Sequence, residues 1–213
     1  MKLLLHTCCA PCSGAIIEAL LNEGVKPTIF YFNPNIFPLE EYLKRKDECS
    51  RYAAECGLEM VDEDYLHEIW LEEVAGLEDE PERGQRCTRC FRHRLLTAAQ
   101  YALSHDYDTL ATTLASSRWK NIDQINAAGE WAVAQVLDQQ RRLVEMEERL
   151  ALTRTMQEGA APQVTEQKEL QWWPRNWRKG GLQQRRSEII KEKCFYNQTY
   201  CGCEFSIRKC ETK

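Results

Sequence analysis

The sequence predicts an α/β fold in which a parallel sheet is flanked by helices. Three observations carry that prediction. Short apolar runs (KLLLH, TIFYF, DTLATTL) alternate with longer stretches of helical periodicity. Two of the helical stretches stop at glycines, Gly24 and Gly57. The turns after three of the strands hold unusual residues (HTCCAPCSG, NPN and SSRWK), and in a doubly wound sheet such turns converge beyond the carboxyl ends of the strands, where active sites lie.

Lys2–His6 reads as a buried parallel strand ending at the cysteine turn. Ser13 is the expected N-cap of a helix built on Ala15-Ile16-Ile17 and Ala19-Leu20-Leu21. Pro27–Phe32 is a second strand, followed by the turn-rich NPNIFP. A helix runs from Leu39 to Cys56, then a short strand (Leu58–Val61) and a polar helical stretch (Tyr65–Ala75). The segment RGQRCTRCFRHR leads into a helix over Leu95–Leu103. Asp108–Leu114 is the next strand and Ile122–Trp131 the next helix. Leu137–Gln167 is charged and helix-favouring at first, loop-like from APQVTEQ onward, and reads as an inserted exposed helix or helical hairpin. No internal repeat is present. The expected organisation is an α/β domain over 1–136, a helical insertion or linker over 137–170, and a basic, cysteine-bearing segment over 171–213 packed on the active-site edge.

Composition narrows the chemistry. The 213 residues are 43% hydrophobic and 29% charged, an ordinary globular balance. No stretch approaches the roughly 18 apolar residues of a membrane span, and the opening apolar run is too short for a signal peptide. A cytoplasmic location with no membrane partner is therefore expected. There the 11 cysteines stay reduced, and metal or redox use outranks a disulfide framework. With a net charge of −5, any nucleic-acid partner requires a local basic face.

Three cysteine groups stand out: Cys8-Cys9 with Cys12, Cys87-x-x-Cys90, and Cys201-Gly202-Cys203. Four thiolates from two turns suit zinc or an iron–sulfur cluster, and adjacent cysteines favour the cluster, whose separate irons each take one. The CGC pair suits a labile dithiol/disulfide couple, because a bond across so small a ring is strained; metal ligation is the competing reading. Cys49 and Cys56 lie on one helix face as core or surface thiols, and no role falls to Cys210. Seven cations against two carboxylates over 172–193, interleaved with Trp172, Trp173 and Trp177, suit unpaired RNA bases held beside phosphates; aromatics in the core beside solvated arginines account for the composition equally well. Arg83, Arg86, Arg89, Arg92 and Arg94 surround the C-x-x-C pair and would offset thiolate charge or steer an anionic substrate. His6, Tyr200 and Glu204 lie near the motifs as candidate proton sources.

HTCCAPC, YFNPNIFPLEEY, CTRCFRHRL, the S-x-x-x-K-N turn of the Ser117–Asn121 region, WRKGGL and YCGCEFS occur in this order. In these motifs the chain resembles the QueH-type epoxyqueuosine reductases, over Met1–Gly129 and Trp177–Ile207. The resemblance implies a Rossmann-like fold of the HUP type, with HTCCAPCSG in place of the loop that binds ATP phosphates in related folds. The implied reaction deoxygenates epoxyqueuosine to queuosine at the wobble position of tRNA, with electrons from an unidentified donor. Cys8, Cys9, Cys87 and Cys90 would ligate a [4Fe-4S] cluster, and Cys201 and Cys203 would be the redox-active pair. Family members can carry an additional iron, for which Cys12, Cys201 and Cys203 would be ligands instead. The 137–167 insertion, Trp172 and Trp173 depart from the family pattern. The rival readings are an iron–sulfur-dependent tRNA thiolation enzyme, which normally needs the missing phosphate loop, and a zinc-bound RNA-binding module.

Overall fold

The computed structural model describes residues 1–158 and 168–207. Strand β1 (Leu3–His6) is buried throughout, as a central parallel strand must be. It pairs in parallel with β2 (Thr28–Tyr31) on one side and β4 (Thr109–Thr112) on the other. Beyond them lie β3 (Met60–Asp62) and β5 (Gln171–Trp172), in the order β3-β2-β1-β4-β5 with every pair parallel.

Alternate strand residues enter different layers, because successive side chains point to opposite faces. Leu3, Leu5, Ile29, Tyr31 and Ala111 pack beneath α1 (Ala10–Asn22), α2 (Leu39–Glu55) and α6 (Leu182–Glu192). Leu4, Phe30 and Leu110 pack on the other face, against α4 (Gln85–Ser104) and α5 (Ile122–Glu158). Each fully buried leucine contributes about 1.5–3 kcal/mol to this arrangement. The short α3 (His67–Glu73) packs on α4 through a third cluster of Trp70, Val74, Cys90 and Cys203. The α/β class, parallel sheet and helices on both faces agree with expectation.

Several boundaries differ. Helix α1 begins at Ala10 with Cys9 as its N-cap, so Ser13 lies inside it and donates to the Cys9 and Ala10 carbonyls. Pro11 suits that first turn, where its missing N–H has no partner to lose. Helix α4 starts at Gln85, ten residues before the expected start, and carries both thiols of C-x-x-C in its opening turns. Strand β4 stops at Thr112, and Thr113–Ser116 forms a 3-10 turn. Helix α5 does not end at Trp131 but continues to Glu158, because no glycine or proline interrupts the sequence between Trp131 and Gly159. The expected loop over 161–167 and Cys210 lie outside the described residues.

Trp172 belongs to the unpredicted edge strand β5. Its indole lies flat on α5 at Gly129, where an added Cβ would come within 2.4 Å of the ring. Trp177 is 1% exposed and donates to the Thr112 carbonyl, with Trp173 packed beside it. These rings are part of the fold. Among the described residues no helix is long and apolar enough to cross a membrane.

Candidate metal centre

The site forms where β1, β2 and β4 end side by side. Asn33 Nδ2 donates to the Thr7 carbonyl and the Cys8 N–H to Thr113 Oγ1, tying the NPN turn and the 3-10 turn to the cysteine turn. His6 completes the joint. Its Nδ1 lies 2.8 Å from Thr112 Oγ1 and its Nε2 donates to the Phe32 carbonyl. Burial, helped by the Arg94 charge, lowers its pKa to about 3, so it is a neutral structural ring rather than a proton source.

Cys8, Cys9 and Cys12 are all buried, and their sulfurs lie within 4.8 Å of one another. Cys9 is the N-cap residue of α1 and Cys12 sits in its first turn, so the positive end of the helix dipole favours negative charge there. The trio divides that charge unequally. Hydrogen bonds from the Cys12 and Cys9 thiols hold Cys8 well below the ordinary thiol range. Burial and the same neighbours push Cys9 well up, and Cys12 rises chiefly through its bond to Cys8.

Cys87 and Cys90 do not join that tight group. Cys87 packs at the edge of the apolar cluster containing Cys8, Cys9 and Cys12, and its sulfur accepts from the Arg83 N–H at 3.2 Å. Burial pushes its pKa up to about 11. Cys90, one turn on, shares the third cluster with Cys203, whose thiol burial raises to about 12. All ten described cysteines are free thiols, Cys201 and Cys203 included.

The C-terminal segment of the site is held by α2 and the NPN turn. Arg45, 2% exposed on α2, pairs with Glu41 at 2.6 Å and donates to the carbonyls of Cys201 and Tyr200. The Phe37 N–H donates to the Gly202 carbonyl, and the Tyr200 hydroxyl to the Phe37 carbonyl. Gly202 has φ +109, and a Cβ there would meet Ile36 at 2.9 Å, so glycine is required. His67 is fixed between the Pro34 carbonyl and the Glu204 carboxylate. Each of the three candidate proton sources is thus engaged with the protein.

Cations surround the thiols. Burial opposes the charge of the half-buried Lys120, but the neighbouring Cys201, Cys8 and Cys12 sulfurs outweigh it and hold its pKa above the usual lysine range. Arg94 donates to Asn33 and lies 4.0 Å from Cys90 Sγ. Arg86 instead donates to the Leu77 and Glu78 carbonyls, and Arg92 stacks over Trp131. In the basic C-terminal stretch, Arg175 pairs with Glu23, Arg185 with Glu18 and Glu192, and Lys193 with Glu55. Those three cations are paired with carboxylates, and Trp172 and Trp177 are packed into the fold.

Sequence reasoning missed Arg45, Gln198 and His67. Arg45 had a legible signal: it occupies a core position of the periodic set Tyr42, Arg45, Cys49, Tyr52. Gln198, which reaches Cys9, had none.

The family model described as "Epoxyqueuosine reductase QueH" matches residues 3–157 and 151–209. The chain belongs to the QueH family. Epoxyqueuosine reductases QueH of Histophilus somni and Haemophilus influenzae are each 42% identical over 207 residues, covering 97% of this chain and 72% of theirs. The QueH of Acinetobacter baylyi is 40% identical over 97% of this chain and 81% of its own. A solved structure, the U34-tRNA thiolase NcsA from Methanococcus maripaludis with its [4Fe-4S] cluster, aligns with a TM-score of 0.47 and 16% identity over 97% of this chain and 62% of that one.

Proposed function

We propose that this QueH-family chain is an epoxyqueuosine reductase, an oxidoreductase that converts epoxyqueuosine to queuosine in tRNA. The observation that carries the site is the buried Cys8-Cys9-Cys12 group at the carboxyl edge of the sheet, with Cys87 of α4 packed against the same apolar cluster and Cys90 one turn on beside Cys203.

The donor set fits a polynuclear iron site. Cys8, Cys9, Cys87 and Cys90 are free, buried or half-buried, and come from two elements. Separate irons accept thiolates that are farther apart than the ligands of one ion, which suits the wider placement of Cys87 and Cys90. These four residues would hold a [4Fe-4S] cluster, which when bound supplies single-electron transfer and a Lewis-acidic iron. Lys120 and Arg94 offset the thiolate charge in the meantime.

Removing the epoxide oxygen as water consumes two electrons and two protons. Oxidation of the Cys201–Cys203 dithiol to a disulfide releases the same two electrons and two protons. The pair is held at the site by Arg45 and Phe37, and we assign it that role, with an external electron donor restoring the dithiol. Cys12, and the CGC thiols in the reduced state, remain available to an additional iron. The protein acts in the cytoplasm, where thiols stay reduced.

The test is anaerobic incubation of the iron-loaded protein with a reductant and tRNA bearing epoxyqueuosine, followed by mass analysis of the nucleosides. Loss of one oxygen atom is expected from the wild type, and Cys9→Ala and Cys87→Ala should lose both iron and activity while Cys49→Ala keeps both. Unchanged epoxyqueuosine, or a colourless zinc protein, would overturn the assignment.

A further inference from the structure

Five of the six tryptophans are buried or half-buried, but Trp119 is 60% exposed. Its position is not accidental slack in a loop. The turn that carries it is gripped through its carbonyls from two sides. Arg83 Nε donates to the Trp119 carbonyl at 2.8 Å and its NH2 to that of Arg118. Arg178 donates to the carbonyls of Ala115, Ser117 and Lys120. Gln124 in turn anchors Arg83 and Gly84.

The same turn borders the thiols. The Arg83 N–H contacts Cys87 Sγ at 3.2 Å, and Lys120, the next residue after Trp119, interacts with the Cys201, Cys8 and Cys12 thiols. The chain therefore turns a cation inward to the metal centre and, one residue earlier, a large aromatic outward. The exposed Arg118 guanidinium lies 4.9 Å from the Trp119 ring centre.

We propose that Trp119 is a stacking platform for an unpaired nucleobase of the anticodon loop next to the modified base, with Arg118 beside it for the phosphate. An indole on a fixed backbone stacks any base face at little entropic cost, and single-stranded RNA is recognised chiefly in this way. The proposal rests on the assignment of tRNA as substrate and names how that tRNA is positioned. Trp119 is a positioning residue, acting on a neighbouring base rather than on the bond that breaks.

Two measurements test it. In steady-state reduction of epoxyqueuosine-bearing tRNA, Trp119→Ala should raise KM roughly ten- to hundredfold, the range expected for one stacked base, with kcat within twofold and iron content unchanged. Trp119→Phe should recover most of the loss. An unchanged KM, or a fall in kcat alone, overturns the platform. In the second, an anticodon stem–loop RNA is titrated into the iron-loaded protein while indole fluorescence is followed. Quenching in the wild type that disappears in Trp119→Phe supports the platform even if the tRNA is not reduced, in which case the reductase assignment alone fails. Normal turnover with identical quenching in both proteins overturns the platform and leaves the reductase assignment intact.

Discussion

Gln198 Nε2 lies 2.9 Å from Cys9 Sγ, joining two residues 189 positions apart in the chain. The same amide is 3.9 Å from Cys12 Sγ, and its own oxygen is buried without a partner. A side chain from the C-terminal segment thus donates an N–H to a proposed iron ligand on the first turn. Hydrogen bonds to sulfur are one of the levers that set cluster potentials.

Replacing Gln198 with Leu removes that donor with little change in volume. Iron content should be retained, and the midpoint potential should fall, because the N–H favours the more negative, reduced state. A differential of about 1 kcal/mol corresponds to roughly 40 mV for a one-electron couple. Potentiometric titration followed by electron paramagnetic resonance reads the shift. An unchanged potential would show that the contact does not persist around bound iron.

Arg45→Met should destabilise the whole domain. The substitution leaves Glu41, whose side chain is 11% exposed, without its cation, and frees the carbonyls of Tyr200 and Cys201. Breaking one side of a buried pair costs about 3–5 kcal/mol, a fall in Tm of roughly 10 °C for a chain of this size. Calorimetry measures it, and a Tm within 2 °C or so of wild type would count against the pairing.

Gly202→Ala separates iron binding from turnover. The new Cβ would strain a backbone at φ +109 and press on Ile36 and Arg45, displacing the CGC loop. With Cys8, Cys9, Cys87 and Cys90 untouched, iron content should stay near wild type while reduction of epoxyqueuosine falls at least tenfold. Loss of iron instead would make the CGC segment part of the metal site.

The iron-free protein should weaken at alkaline pH. Burial raises Cys87 to about 11 and Cys203 to about 12, above the ordinary thiol value of ~8.5 in an unfolded chain. Above that value the unfolded chain has lost protons that the native state keeps, so stability falls as pH rises, until the native thiols also ionise. Urea midpoints measured from pH 7 to pH 11 should decline steadily from about pH 8.5. A Cys87→Ser, Cys203→Ser double variant should show a shallower decline.

The element order and the cysteine groups were legible in the primary structure because both are local. A strand buried on both faces leaves an unbroken apolar run, as in Leu3–Leu5, and a C-x-x-C pair announces itself by spacing. The departures arose where distant contacts override local preference. Ser13 reads as a cap, yet the helix starts at Ala10 with Cys9 as its N-cap and Pro11 in its first turn. Composition alone left Trp172 equally an RNA-facing ring or a core ring, and it packs on α5 at Gly129, where a Cβ would collide with it.

By itself, then, the sequence determined the α/β class, the turn that carries the site and the family to which the chain belongs. Only the tertiary structure decided which thiols gather, since Cys8, Cys9 and Cys12 meet at a helix start while Cys87 and Cys90 stand apart on α4. It alone placed Arg45 beneath the CGC loop, Gln198 on Cys9 and Trp119 in solvent. The physical reason is range. Apolar periodicity and ligand spacing act over a few residues, whereas a buried guanidinium or an amide on sulfur finds its partner only after the sheet has brought chain ends more than a hundred residues apart into contact.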